Sequence, residues 1–169
     1  MLPDVLRPGL RSYAVPRRQT LGCQEAVLCG QGNQFWKVLY DVCLTGGQIL
    51  TPVDFGRLLE FGIGLTDLAK NVAGSDHEIA AADHDVDEFR NKLLTFEPEI
   101  VAFNGKKAAS IFLGRPTSEI RYGRQSERVG RSLIWVLPST SAAARAHWSE
   151  RPWGDLAIAA SVEPGAADP

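Results

Sequence analysis

The stretch Ile100-Val101-Ala102-Phe103-Asn104-Gly105-Lys106-Lys107 decides the fold of this chain. Its four apolar residues predict a buried strand, which stops at a small polar turn and is followed by a helix-forming run. Residues 133–137, followed by Pro138-Ser139-Thr140-Ser141, repeat this pattern. The carboxyl ends of strands in an open parallel sheet face one crevice, where ligands bind. These two strand ends therefore predict a site for a polar, planar ligand.

Strands and helices alternate along the rest of the chain. A first strand is predicted near the N-terminus, helices are predicted by apolar spacing and by the Thr51-Pro52 start signal, and polar linkers separate them. In chain order the predictions are a strand over 10–15, helices over 35–43, 52–61, 86–96 and 106–113, loops over 71–85 and 115–130, and a helix over 142–150. The alternation predicts one α/β domain with a mainly parallel sheet over residues 1–156, followed by a flexible tail over 157–169.

Composition excludes several classes of protein. A chain of 169 residues fits one domain. It has no run of about 18 apolar residues, no secretory pattern at the N-terminus and no dinucleotide, P-loop or G-x-S-x-G motif. Its three cysteines are an odd number without a CxxC pair, which indicates free thiols in a reducing compartment. We expect a cytoplasmic protein without a membrane span, a structural zinc or a four-cysteine iron–sulfur cluster.

Charge is distributed unevenly although the net charge is only −2. Between Asn104 and Arg131 there are seven basic residues against Glu119 and Glu127; the basic ones are Lys106, Lys107, Arg115, Arg121, Arg124, Arg128 and Arg131. Such a cluster predicts either a basic face beside the crevice or a solvated surface with no ligand.

Four motifs in a fixed order carry a family resemblance. They are Gly32-Asn33-Gln34-Phe35-Trp36-Lys37, Gly62-Ile63-Gly64-Leu65-Thr66-Asp67-Leu68, Phe103-Asn104-Gly105-Lys106 and Leu137-Pro138-Ser139-Thr140-Ser141-Ala142. Together they resemble the mismatch-specific uracil/thymine-DNA glycosylases of the uracil-DNA glycosylase superfamily. The resemblance implies a three-layer α/β/α fold and hydrolysis of the N-glycosidic bond of a base that is flipped out of DNA. No metal or cofactor is implied.

The resemblance assigns roles to residues at the two strand ends. Asn104 is similar to the family's strand-end Asn, whose amide matches the O4 and N3–H edge of uracil; the alternative is an Asn chosen for a tight Asn-Gly turn. Asn33 and Phe35 follow the family's pocket-lining segment, although Phe35 also fits the apolar face of a helix. Ser139, Thr140 and Ser141 match the loop that presses on the DNA backbone, or they cap the next helix.

Further DNA contacts are expected around that loop. Residues 142–144 are all Ala where a long wedge residue is expected, so Ala143 occupies the wedge position and Arg145 is the nearest large side chain. The candidate phosphate contacts are Lys106, Lys107, Arg121, Arg124 and Arg128. Tyr122 is a candidate to pack on a sugar or base.

The chain departs from the family at its first motif, a strand that ends in Gly-Ile-Asn-Pro-Gly or a relative of it. Arg18 occupies the place of the residue that positions water, and the adjacent Gln19 has an amide that can orient a water. Glu25 is the nearest carboxylate base, and Leu28 replaces the aromatic that stacks on the base. Three explanations are open: another residue activates the water, the protein binds damage without cutting, or a local change of reading frame produced residues 12–31.

The expected function is that of a monofunctional uracil-DNA glycosylase of base-excision repair, active as a monomer on single- or double-stranded DNA that contains uracil. The alternative is a catalytically weak DNA-binding protein that recognises uracil or mismatches without excision.

Overall fold

A mainly parallel sheet forms the centre of the molecule. The computed structural model describes residues 12–15, 28, 31–68 and 86–161, apart from the side chains of 12–15 and His147. Within these residues the sheet has the order β2-β1-β3-β5-β4; the strands are β1 (Ser12–Val15), β2 (Ile63–Leu65), β3 (Ile100–Asn104), β4 (Gly123–Val129) and β5 (Ser132–Leu137). All neighbouring pairs are parallel except β4 with β5. The predicted α/β class and the mainly parallel sheet are therefore confirmed.

Helices connect the strands, and local sequence signals set their ends. They are α1 (Phe35–Asp41), a 3₁₀ helix over Pro52–Phe61, α2 (Val86–Phe96), α3 (Lys106–Leu113), a 3₁₀ helix over Ala142–His147, and α4 (Arg151–Ser161). The Asp54 carboxylate accepts hydrogen bonds from the Thr51 backbone N–H (2.9 Å) and hydroxyl (2.6 Å). This carboxylate at the start of the Pro52–Phe61 helix explains why Thr51-Pro52 marks a helix start.

The core divides into two clusters, one on each face of the sheet. Alternate residues of β3 and β5 fall into different clusters, as the two-residue period of a strand requires. Ile100, Ala102, Trp135 and Leu137 belong to the first cluster, whereas Val101, Phe103, Ile134 and Val136 belong to the second. The first cluster is completed by α1, the Pro52–Phe61 helix and α4, and the second by α2 and α3. Helical residues therefore contribute to both clusters.

The loop predicted over residues 115–130 is wrong in its second half, because β4 occupies Gly123–Val129. Among the described strands β4 forms one edge of the sheet, and only its last residue, Val129, is buried. An edge strand with one solvated face needs few apolar residues, so its charged sequence hides the strand pattern.

The C-terminal region also differs from the prediction. The helix expected over 142–150 is a shorter 3₁₀ helix, and a separate helix, α4, continues through Ser161. Residues 157–161, predicted to belong to a flexible tail, are thus helical, and Ala157 is buried. The predicted loop over 71–85 and residues 162–169 lie outside the described residues.

None of the helices in the described ranges has the length and apolarity that a bilayer crossing requires. In the same ranges, no three His, Cys, Asp or Glu side chains gather in a way that could hold a metal ion.

Candidate active site

The carboxyl ends of β3 and β5 bring two of the predicted motifs together. Asn104 and Leu137 end these strands side by side in parallel register. Gly105 then turns the chain into α3 with φ +119° and ψ 150°, a conformation that is nearly confined to glycine. A Cβ at Gly105 would lie 3.3 Å from the Cβ of Ser139, so the two loops pack closely at this edge.

The Asn104 side chain fastens the loop that follows β5. Its Nδ2 donates a hydrogen bond to Thr140 Oγ1 (2.8 Å), and its Oδ1 accepts one from the Thr140 backbone N–H (3.0 Å). Both residues are buried, with 4% of Asn104 and 1% of Thr140 exposed. Because a backbone N–H can only donate, the atom that faces it must be the amide oxygen, which fixes the orientation of the amide.

Thr140 is therefore internal, which corrects the prediction that it grips the DNA strand. Its backbone carbonyl also accepts a hydrogen bond, from the Gln34 N–H at 2.8 Å. Thr140 thus links the end of β3 to the segment that precedes α1. Ser139 and Ser141, on either side of it, are half-buried, and their hydroxyls are 3.2 Å apart. These two serines are thus the residues of this loop that stay partly open to a ligand.

The segment before α1 closes one side of the site. Asn33 Oδ1 accepts a hydrogen bond from the Phe35 backbone N–H (2.9 Å), which starts α1. Gly32 has φ +77°, and a Cβ at this position would lie 2.9 Å from Arg145 Nη2. Glycine at this position therefore leaves room for the Arg145 guanidinium. Asn33 and Arg145, two predicted site residues, thus lie beside the Asn104–Thr140 pair.

Two predicted base contacts lie in the core. Phe35 is fully buried and packs edge-to-face against Trp36 and Trp153, with ring centroids 5.3 and 6.1 Å away. The structure thus favours the core interpretation of Phe35 over direct base contact. Leu28 belongs to the same cluster and is 5% exposed, with φ +56°. Stacking on a base would require either side chain to leave this cluster.

Trp153 supports the site, although no sequence motif marks it. Its Nε1–H donates to the Pro138 carbonyl (3.2 Å), and its ring is buried against Phe35. Trp153 therefore fastens the start of the 138–141 loop to α4 and α1. The helical spacing of Trp153, Leu156 and Ala157 was the signal that could have revealed α4.

The remaining predicted site residues divide into two groups, the DNA contacts and the residues that position or activate water. Lys107, Arg124, Ala143 and Arg145 are exposed and Lys106 is half-buried, so all five are open to a ligand to some degree. The exposed Ala143 lies on the 3₁₀ helix that follows Ser141. Arg18, Gln19 and Glu25, the predicted water-positioning residues, lie outside the described residues.

A comparison with protein families identifies this arrangement. The family model of the uracil DNA glycosylase superfamily matches residues 8–160 of the chain. The chain belongs to the uracil DNA glycosylase superfamily. Membership supports a DNA glycosylase type of function, a hydrolase of base-excision repair with DNA as its partner. The match spans all the described strands and both loops of the candidate site.

Proposed function

We propose that the protein is a monofunctional DNA glycosylase that excises uracil from DNA, related to the mismatch-specific uracil/thymine enzymes of its superfamily. The observation that supports this most directly is the buried Asn104 amide, held by Thr140 at the carboxyl edge of the sheet. We further propose a three-layer α/β/α arrangement, supported by the two core clusters, and a monomer that acts in the cytoplasm.

The fixed amide of Asn104 has the chemistry to select uracil. After its two hydrogen bonds to Thr140, Asn104 retains one N–H donor and one oxygen lone pair. These match O4 and N3–H of uracil, respectively. Cytosine presents the reverse order, an amino donor and an N3 acceptor, and would require the amide to rotate by half a turn. Rotation would place the amide NH₂ against the Thr140 N–H, two donors facing each other, so Thr140 maintains the selection.

DNA would be held by hydroxyls and cations around this amide. Ser139 and Ser141 offer hydroxyls beside it, while Lys107, Arg124 and Arg145 offer exposed positive charge. Contacts of this kind position the strand but do not read its sequence. Recognition of the base would therefore depend on Asn104, and binding strength on the surrounding charge.

Bond cleavage in this proposal relies on stabilisation of the leaving uracil anion. Donors that are already oriented when charge develops often contribute more to enzymatic rate enhancement than any other effect, and the N–H that Asn104 retains is such a donor. Water would be supplied or positioned by the segment that contains Arg18, Gln19 and Glu25, a role that stays a prediction.

A single-turnover assay tests the proposal. Labelled oligonucleotides with one uracil, single-stranded or paired with A or G, are incubated with excess protein and then cleaved with alkali at abasic sites. Strand breaks at uracil that disappear in Asn104→Ala, but not in Asn91→Ala, would support it. Asn91 is an exposed Asn of α2 and serves as the matched control. If the wild-type protein produces no breaks, the excision proposal is refuted.

The second candidate is a DNA-binding protein that recognises uracil or mismatches with little or no excision. Residues 142–144 are all Ala, which are too small to fill the space that a flipped base vacates, and the family's first motif is absent. Uracil-dependent binding without strand breaks in the same assay would favour this candidate.

A further inference from the structure

An exposed tyrosine lies at the same edge of the sheet as Asn104. Tyr122 immediately precedes β4, whose first residue, Gly123, pairs with Val136 of β5. Since β4 is antiparallel to β5, its start lies at the carboxyl ends of the parallel strands. Tyr122 is thus two strand positions from Asn104, a separation of about 10 Å at the usual strand spacing. It is 38% exposed.

The backbone around Tyr122 is held in place from both sides. The Gln125 side-chain NH₂ donates to the carbonyls of Arg121 and Gly123, at 2.9 Å each. These two carbonyls flank Tyr122, so Gln125 fixes the turn that presents the ring. An aromatic ring on a fixed backbone loses little conformational entropy when it binds a ligand.

Lys106 connects this tyrosine to the site. Lys106 follows Asn104 by two residues, and its Nζ lies 4.8 Å from the centroid of the Tyr122 ring, within the range of a cation–π interaction. Among the described residues, no carboxylate forms an ion pair with Lys106, so its charge is open to an external anion. Burial raises the pKa of the Tyr122 phenol above its ordinary value of 10.0. A phenol is already uncharged at neutral pH, so the ring does not repel a phosphate.

We infer that Tyr122 and Lys106 form a subsite for a nucleotide that flanks the target base in the same strand. The Tyr122 ring stacks on the base of that nucleotide, and the Lys106 ammonium neutralises its phosphate. Stacking of this kind accepts any base, because every base has a π face. Gln125 acts as a positioning residue for the ring. This inference rests on the proposed function, since it takes the base at Asn104 as its reference point.

Removing single bases from the DNA tests the subsite. The probes are fluorescein-labelled single-stranded oligonucleotides with one 2′-fluoro-2′-deoxyuridine, a nucleotide whose fluorine slows glycosidic cleavage. In further probes, a stable abasic tetrahydrofuran replaces one neighbouring nucleotide at a time. Binding is measured by fluorescence anisotropy for the wild type, Tyr122→Ala, Tyr122→Phe and Tyr40→Ala. Tyr40 is the matched control, because it is 41% exposed and lies near the C-terminal end of α1.

The expected result is a coupling between the ring and one flanking base. Tyr122→Ala weakens binding of the intact probe about tenfold, a factor that corresponds to about 1.4 kcal/mol. The effect disappears when the contacted base is absent. Tyr122→Phe and Tyr40→Ala bind as the wild type does. Lys106→Met lowers the slope of log K against log salt by about one on all probes that retain the phosphate.

Equal weakening of all probes by Tyr122→Ala, or no weakening, would overturn the subsite. Because anisotropy requires no cleavage, the result is independent of excision. A base-specific coupling without strand breaks in the excision assay leaves the subsite standing and removes the glycosylase proposal. Strand breaks without coupling leave the glycosylase proposal standing and remove the subsite. Absence of DNA binding overturns both.

Discussion

Asn104 has a structural role, in which it holds the 138–141 loop, and a proposed role in binding uracil. The two hydrogen bonds between Asn104 and Thr140 allow these roles to be tested separately. Asn104→Ala removes both hydrogen bonds and leaves the Thr140 N–H, in a residue that is 1% exposed, without its acceptor. A buried unsatisfied donor costs about 1–3 kcal/mol, and the second lost bond adds about 0.5–1.5 kcal/mol. We expect a loss of about 1.5–4.5 kcal/mol in the free energy of unfolding, or roughly 3–18 °C in Tm for a chain of this size.

Thr140→Val is the matched perturbation. It keeps the Thr140 backbone N–H bonded to Asn104 Oδ1 and removes only the hydroxyl acceptor, at a cost of about 1–2 kcal/mol. In this variant the Asn104 amide keeps its orientation and its two free hydrogen-bonding positions. If Asn104 holds uracil, Asn104→Ala should reduce single-turnover excision by about 100-fold or more, whereas Thr140→Val should retain most of the rate.

The Tm of each variant is measured by circular dichroism and reports stability. Excision is measured well below the Tm of both variants and reports activity of the folded protein. Equal loss of excision in the two variants would show that Asn104 acts only by holding the loop. A Tm of Asn104→Ala that equals the wild-type Tm would show that the bonds to Thr140 do not stabilise the fold.

Three further predictions concern the charges of Arg124 and Asp54 and the hydrogen bond from Trp153 to the 138–141 loop. Arg124→Gln should weaken DNA binding and flatten the plot of log K against log salt by about one, measured by anisotropy; an unchanged slope removes Arg124 from the interface. The two hydrogen bonds from Thr51 lower the pKa of the Asp54 carboxyl below 3.8. Asp54→Asn should therefore reduce the free energy of unfolding at neutral pH. The difference from the wild type should shrink as the pH falls below 3.8 and through the lower pKa that Asp54 has in the folded protein. Urea unfolding at several pH values checks this, and a difference that does not change with pH contradicts it. Trp153→Phe loses the bond to the Pro138 carbonyl, about 0.5–1.5 kcal/mol, and a Tm drop of roughly 1–6 °C follows; an unchanged Tm would mean that this bond adds nothing.

Elements with strong local signals were predicted well. The apolar run of β3 became a strand that is buried at every residue, and the glycines on either side of Lys106–Leu113 set the ends of α3. Gly114, at the C-terminal end, adopts φ +65°, the left-handed conformation that glycine favours there. In these places the local sequence pattern and the burial in the folded protein favour the same secondary structure. The sequence alone is therefore sufficient to predict these elements.

The errors arose where a tertiary partner decides the structure. β4 carries one buried residue and many charges, and its pairing with β5 makes it a strand. Thr140 lies between two serines that are more open to solvent, and nothing local distinguishes it from them. Its partner Asn104 lies 36 positions earlier in the chain, and only the register of β3 with β5 brings the two together. The sequence therefore predicts that Asn104 and the 139–141 loop follow two strand ends, but it does not reveal the bonds between them.

The edge position of β4 has a consequence for solubility. An open sheet edge is a template on which another chain can add a strand, and proteins discourage this with charge and bulges. β4 has both: Arg124 and Arg128 are exposed along it, and its register with β5 shifts between them. Two molecules that met edge to edge would bring like charges together. The arginines that are proposed to attract DNA would thus also oppose edge-to-edge pairing of two copies, and they would do so least where salt or phosphate screens their charge.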